Sequence, residues 1–183
     1  KVDEVLISTK PNGLPDTTLP SPFQFNHAIA YCPDIGEEGI WMDATQKGTP
    51  FGKIPWYNQG LPVLQVNQQG EGELLMTPQY PADSNQVQIL WDVHLNRDGS
   101  ATVKGETRFR GALAEEVRED FFYVTRDLQR QWLESYLAKR CTGIQLDTFQ
   151  ISGLQPVLDP LQLTYEFQTS SFARSRPGQL AIQ

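Results

Sequence analysis

Cysteine is almost missing from this 183-residue chain, in which Cys32 and Cys141 are the only two. Two thiols make neither a disulfide framework nor a zinc-ligand set. Positive charge is scarce and scattered as well. Fifteen Lys and Arg stand against 22 Asp and Glu, a net charge of −7 with no basic run. Nucleic acid and anionic membrane surfaces are therefore poor partners for it. No apolar stretch approaches the roughly 18 residues that a membrane span requires. There is no glycine-rich phosphate loop, because Gly70-Glu71-Gly72 sits in a polar turn without the strand–loop–helix context of a nucleotide site. The stretch Asp34–Gly39 carries three acids but lacks the ordered oxygen spacing of a calcium loop. Neither a metal nor a cofactor is expected. Repeats and low-complexity tracts are absent too.

What is there reads as globular protein: 39 % hydrophobic and 20 % charged residues, enough for one large domain or two small ones. The chain opens with "KVDEVLIST", already strand-like, without an initiator methionine or a leader. It closes with "PGQLAIQ", a turn followed by a strand just beginning. Neither end has the polar composition usual at natural termini, so a piece of a longer polypeptide is expected, silent about its compartment.

The pattern along the chain is mainly β with some α. Residues 4–9 alternate as a strand, and four prolines and a glycine within 10–22 make the next segment a loop. Residues 25–32 and 39–44 form an expected hairpin. From 46 to 81 the chain is rich in Gly, Pro, Gln and Asn, with short strands expected at 62–66 and 73–77, and reads as an extended connection over a surface. A domain boundary falls near 80. Two alternating runs around Asn96-Arg97-Asp98-Gly99 then give a strong hairpin signal. Helices follow: "GALAEEVREDFF", and a longer one capped by Thr125 in which Leu128, Trp132, Leu133, Tyr136 and Leu137 mark one apolar stripe. Lys139 and Arg140 suit its C-terminal end and Gly143 its exit. Strands at about 144–151 and 161–169 complete a β-rich domain with helices inserted after its first hairpin.

One pair of side chains in the first half invites a chemical reading. A three-residue turn at Asp34-Ile35-Gly36 would set Pro33 opposite Glu37 and His27 directly opposite Asp43. Opposed side chains have Cβ atoms roughly 4.5–5.5 Å apart, close enough for a carboxylate to bond an imidazole N–H. Such a carboxylate fixes the tautomer and stabilises the imidazolium formed when histidine takes a proton. One face of this hairpin carries His27, Ile29, Tyr31, Trp41 and Asp43, the other Ala28, Ala30, Ile40, Met42 and Ala44. Both faces are largely apolar, so cover is expected on both sides. A histidine and an aspartate on an apolar face need a partner, and each is the obvious one for the other. A purely structural pair is the alternative. Cys32 cannot be the nucleophile for His27. It lies five residues along the same strand, roughly 16 Å away and on the opposite face. Cys141 reads as a buried structural thiol, Trp91 as core, and His94 as a solvent-edge strand residue. Trp56 and Tyr57, beside "NQG", could line a substrate cleft.

"FNHAIAY" followed by "GIWMDAT" resembles the histidine and aspartate motifs of bacterial transglutaminase-like proteins, relatives of the papain-like cysteine enzymes. "VLIST" and "PFGKIPWYNQGLPVLQV" are similar to the flanking segments, and "LNRDGSATV" to a β-sandwich domain of unknown function that often follows. The resemblance implies a partial papain- or transglutaminase-like sheet over 1–80 and a β-sandwich-like domain with inserted helices over 81–183. It implies His27 as general base and Asp43 as its orienting acid. The nucleophilic cysteine of the family stands at a helix start upstream of the strand matching "EVLIST", so this chain supplies none. A peptide or protein amide would be the substrate, the missing N-terminal part of the same protein the partner, and the periplasm or the cell exterior the location. The reaction implied is thiol acyl transfer, ending in hydrolysis or transamidation. Set against this is a non-catalytic core joined to a binding or scaffold module.

Overall fold

The computed structural model describes residues 1–19, 21–67, 69–158, 160–176 and 179–182. The closing turn expected at Pro177 and Gly178 lies outside them. The protein is mainly β with some α, and it divides into two compact units, Lys1–Ser84 and Asn85–Gln183.

The first unit is built on one antiparallel sheet of β1 (Asp3–Ile7), β2 (His27–Cys32), β3 (Ile40–Met42), β4 (Pro62–Val66) and β5 (Gly72–Met76), in the order β3-β2-β1-β4-β5. Alternation sends Val5, Ile7, Ile29, Trp41 and Val63 to one face. There Ile54 and Leu61, from the chain between β3 and β4, close over them, with Tyr80 packed alongside. Each such side chain contributes about 1.5–3 kcal/mol by leaving water. The stretch 46–81 therefore does more than wrap a surface, since it supplies two strands and the lid of this core. The other face departs from the expected double cover. Leu74 is 54 % exposed and Met76 61 % exposed, and Ala28 is also open to solvent.

In the second unit β6 (Val87–Leu95) and β7 (Ala101–Phe109) form the expected hairpin, closed by Asn96 N–H donating to the Ser100 carbonyl at 2.8 Å. Helices α1 (Ala112–Phe122) and α2 (Arg126–Ala138) follow, then β8 (Thr142–Ser152), β9 (Leu161–Ser171) and a separate hairpin of β10 (Ala173–Arg176) and β11 (Gln179–Ile182). The main sheet runs β6-β7-β9-β8. Odd-numbered residues of β7 and β9, among them Val103, Phe109, Leu163 and Phe167, join Val117 and Phe121 of α1 and Leu133 and Leu137 of α2 in one core. The sheet is thus backed by helices, and the expected sandwich fits only loosely. Thr125 caps α2, its hydroxyl accepting from Leu128 N–H at 3.4 Å. Leu128 itself is 48 % exposed, so the buried face of the helix is carried by Gln129, Leu133 and Leu137.

Two details hold this unit in register. Gly105 lies beneath the ring of Tyr165, where a Cβ would come within 2.0 Å of Cε2. Tyr165 in turn accepts from Trp91 Nε1 at 2.9 Å and shares a hydrogen bond with Thr107 at 2.8 Å. On the outer edge of the sheet, Arg130 donates to the carbonyls of Leu146 (2.5 Å) and Asp147 (3.2 Å), and Arg126 donates to that of Phe149. These arginines occupy acceptors that an open edge strand would otherwise offer to another chain. Cys141 is buried with Sγ 3.3 Å from Thr169 Oγ1, and His94 is exposed on the edge strand β6.

Candidate active site

His27 begins β2 and pairs with Ile7 at the end of β1. Its entry is tied down by Asn26, which accepts from Thr9 N–H at 2.9 Å and donates to Thr9 Oγ1 at 3.0 Å. The turn after β2 differs from expectation. Gly36 is left-handed (φ +74°), but so is Gly39 (φ +71°), and the Tyr31 ring packs where a Cβ on Gly39 would sit. The loop therefore spans Pro33–Gly39, and Cys32 pairs with Ile40 instead of Pro33 with Glu37. Extended past the end of β3, this register sets Thr45, not Asp43, opposite His27. A slip of two residues keeps every side chain on its own face, because the strand repeat is two. His27 and Asp43 still meet, along a diagonal instead of head-on.

His27 Nε2 lies 2.8 Å from Asp43 Oδ2. Asp43 is buried, its side chain fully so, while the imidazole is 21 % exposed. Two further residues complete the arrangement. Thr45 gives Asp43 Oδ1 both its backbone N–H (3.0 Å) and its hydroxyl (2.7 Å). Asn58 Nδ2 donates to Oδ2 at 2.8 Å, on the same oxygen that receives His27. Burial pushes the Asp43 carboxyl upward, the largest single influence. The Thr45 hydroxyl, the His27 imidazole, the Thr45 N–H and the His27 charge together outweigh it and hold the group below the ordinary carboxylate range. An ionised carboxylate only accepts. The neutral imidazole must therefore carry its proton on Nε2, leaving the Nδ1 lone pair as the ring's proton acceptor.

Asn58 is fully buried at the end of the short helical turn Trp56–Asn58. Thr77 clamps this segment, donating to the Asn58 carbonyl at 2.6 Å and accepting from Leu61 N–H at 2.9 Å. Because Nδ2 must face the carboxylate, Oδ1 is left buried with no hydrogen-bond partner among the described residues. A buried orphan of this kind costs about 1–3 kcal/mol, and a hydrogen bond to a charged group contributes about 1.5–3 kcal/mol. The two nearly cancel. Asn58 thus adds little to stability, and its effect is to fix where the Asp43 carboxylate points.

No protein-family model, curated protein or solved structure matches this chain.

The site stands on its own geometry. Of the four residues singled out from the sequence, His27 and Asp43 are brought together. Trp56 is 51 % exposed with the Lys10 ammonium 6.0 Å from its ring, and Tyr57 donates to Gln46 Oε1 at 3.1 Å. They occupy the turn that carries Asn58, and Asn58 is the member of that turn that reaches Asp43. Cys32 is 2 % exposed at the far end of β2, and Cys141 belongs to the other unit. Among the described residues no group of three or more His, Cys, Asp or Glu is arranged to hold a metal ion. No helix among them is long and apolar enough to cross a membrane. Chemically, the arrangement can take a proton at Nδ1 and stabilise the resulting imidazolium through a buried, fourfold-bonded carboxylate.

Proposed function

We propose that the first unit carries the histidine and aspartate of a thiol acyl-transfer site of the transglutaminase-like kind. His27 acts as general base and then general acid, and Asp43 orients it. A cysteine from outside these 183 residues supplies the nucleophile, since Cys32 is buried at the far end of β2 from His27 and Cys141 is buried within the second unit. His27 Nδ1 takes the thiol proton, the thiolate attacks an amide carbonyl, and His27 protonates the departing amine. Water or a second amine then attacks the thioester, giving hydrolysis or transamidation and returning the thiol. The observation that carries this reading is the Nε2–Asp43 bond, which leaves Nδ1 as the proton-accepting nitrogen on a partly exposed ring. Asn58 and Thr45 serve as positioning residues. A peptide or protein amide is the substrate, met in the periplasm or outside the cell.

The test uses the full-length natural polypeptide and p-nitrophenyl acetate. A burst of nitrophenol near one equivalent, with one cysteine acetylated by mass, is the expected result, and His27→Ala should abolish the burst. Acetylation that ignores His27, or none at all, would defeat the proposal. One observation favours a second reading, a non-catalytic core joined to a binding module. Both thiols of the chain are buried, and Cys32 ends the strand that His27 begins. A full-length protein with no alkylatable cysteine would decide for it.

A further inference from the structure

A cavity of about 280 Å³ opens where α1 and α2 meet the sheet in the second unit. We propose that it binds a primary alkylammonium group, the chemistry shared by a lysine side chain and a free polyamine. Its walls are apolar: Val87 and Leu113 are 41 % and 37 % exposed, and Phe109, Val117, Trp132 and Tyr136 form the rest. Trp132 and Tyr136 stack with centroids 5.1 Å apart and planes 9° from parallel, and Phe109 packs edge-on against both. The wall is therefore stiff, and an aliphatic stem laid along it would remove Val87 and Leu113 from water.

The rim decides the charge of the ligand. Glu116 and Asp120 lie one turn apart on α1 and both line the cavity. Like charges at this spacing repel, so the pair gains from a cation placed between them. Asp120 Oδ2 accepts from Trp132 Nε1 at 3.1 Å, while Glu116 has no hydrogen bond or ion pair among the described residues. The cation that lines the cavity, Arg140, is already committed. Its guanidinium sits 4.1 Å from the Tyr136 ring centroid and donates to the Tyr136 carbonyl (2.9 Å) and hydroxyl (3.2 Å). Two acids against one occupied base leave the mouth with a net negative charge. An anion would face both carboxylates, and a neutral apolar ligand would leave them unpaired. A compact ammonium on a hydrocarbon stem satisfies rim and wall together.

Titration of the ¹⁵N-labelled protein with n-pentylammonium, followed at the Trp132 indole N–H, tests this directly. A saturable shift is expected, with n-pentanol binding at least several-fold more weakly. Glu116→Gln, at an exposed position, should weaken pentylammonium about threefold to fivefold, as for a solvent-exposed ion pair, and leave pentanol unchanged. Parallel titrations with cadaverine and with Nα-acetyl-lysine methylamide would tell a free amine from a peptide lysine by which binds more tightly. No saturable shift, pentanol binding as well as the ammonium, or indifference to Glu116→Gln would each overturn the proposal.

Discussion

Replacing Asp43 by asparagine should move a proton from one nitrogen of His27 to the other. In the native site the Asp43 carboxylate receives His27 Nε2 and Asn58 Nδ2, both at 2.8 Å on the same oxygen. An asparagine can keep its carbonyl toward the two Thr45 donors, which places its NH₂ where Oδ2 was. That group would then meet two donors. The imidazole escapes by taking the other tautomer, with Nε2 accepting and the proton on Nδ1. Asn58 escapes by turning its amide so that the orphaned Oδ1 becomes the acceptor. A hydrogen bond to a charged group contributes about 1.5–3 kcal/mol, a tautomer preference of about tenfold to hundredfold in the native protein. The substitution should cost about 1–3 kcal/mol of stability, because neutral bonds replace charge-assisted ones. The ¹⁵N shifts of the ring nitrogens report the tautomer at about pH 9, where imidazole is ordinarily neutral, and a His94→Gln background removes the second histidine. The native protein should show protonated Nε2, and Asp43→Asn protonated Nδ1. A native ring protonated at Nδ1, or a tautomer indifferent to Asp43→Asn, would rule this switch out. The same switch would remove the lone pair that the proposed reaction needs.

Acid should act on the same carboxylate. Asp43 is held below its ordinary value, so the stability it contributes is complete above about pH 4 and is lost as pH falls through the folded value. Urea midpoints measured from pH 6 to pH 2 should fall at the acid end, and Asp43→Asn should flatten that part of the curve. Gly105→Ala should destabilise the second unit by about 1–3 kcal/mol, since the new methyl would meet the Tyr165 ring within 2.0 Å. Calorimetry should show that loss on the transition of this unit, with the first unit unaffected. Removing both Arg126 and Arg130 by alanine substitution should expose the carbonyls of Leu146, Asp147 and Phe149 along an 11-residue edge strand. Faster concentration-dependent light scattering on warming is the expected result, and unchanged scattering would mean the edge is guarded by other means.

The two hairpins and the second helix were readable because their signals are local. Asn96-Arg97-Asp98-Gly99 fixes one turn, and the stripe of Trp132, Leu133, Tyr136 and Leu137 fixes a helix face. The first hairpin was readable in kind but not in register. Two left-handed glycines, Gly36 and Gly39, compete to shape its turn, and the packing of the Tyr31 ring over Gly39 favours the longer loop. The pairing of His27 with Asp43 is insensitive to that difference, because the slip is an even number of residues. Thr45 carries a local signal, since an aspartate two residues before a threonine commonly accepts from its N–H and hydroxyl. Asn58 carried none. It reaches Asp43 from 15 residues away, through a turn that Thr77 clamps from just past the end of β5, and its aromatic neighbours Trp56 and Tyr57 are the more conspicuous residues of that turn. The helical cover of the second sheet was likewise hidden. Alternation shows that a strand has a buried face, but not whether a sheet or a helix lies upon it.

In the proposed reaction His27, oriented by Asp43, activates a thiol. The most direct measurement is the rate of iodoacetamide labelling of each cysteine in the full-length protein, mapped by mass spectrometry from pH 5 to pH 9, with and without His27→Ala. An unperturbed thiol has a pKa near 8.5, so at about pH 6 well under 1 % of it is thiolate. One cysteine, neither Cys32 nor Cys141, should label rapidly at that pH and slow by roughly an order of magnitude or more in His27→Ala. Uniformly slow labelling at every cysteine, the same with and without His27, would contradict it.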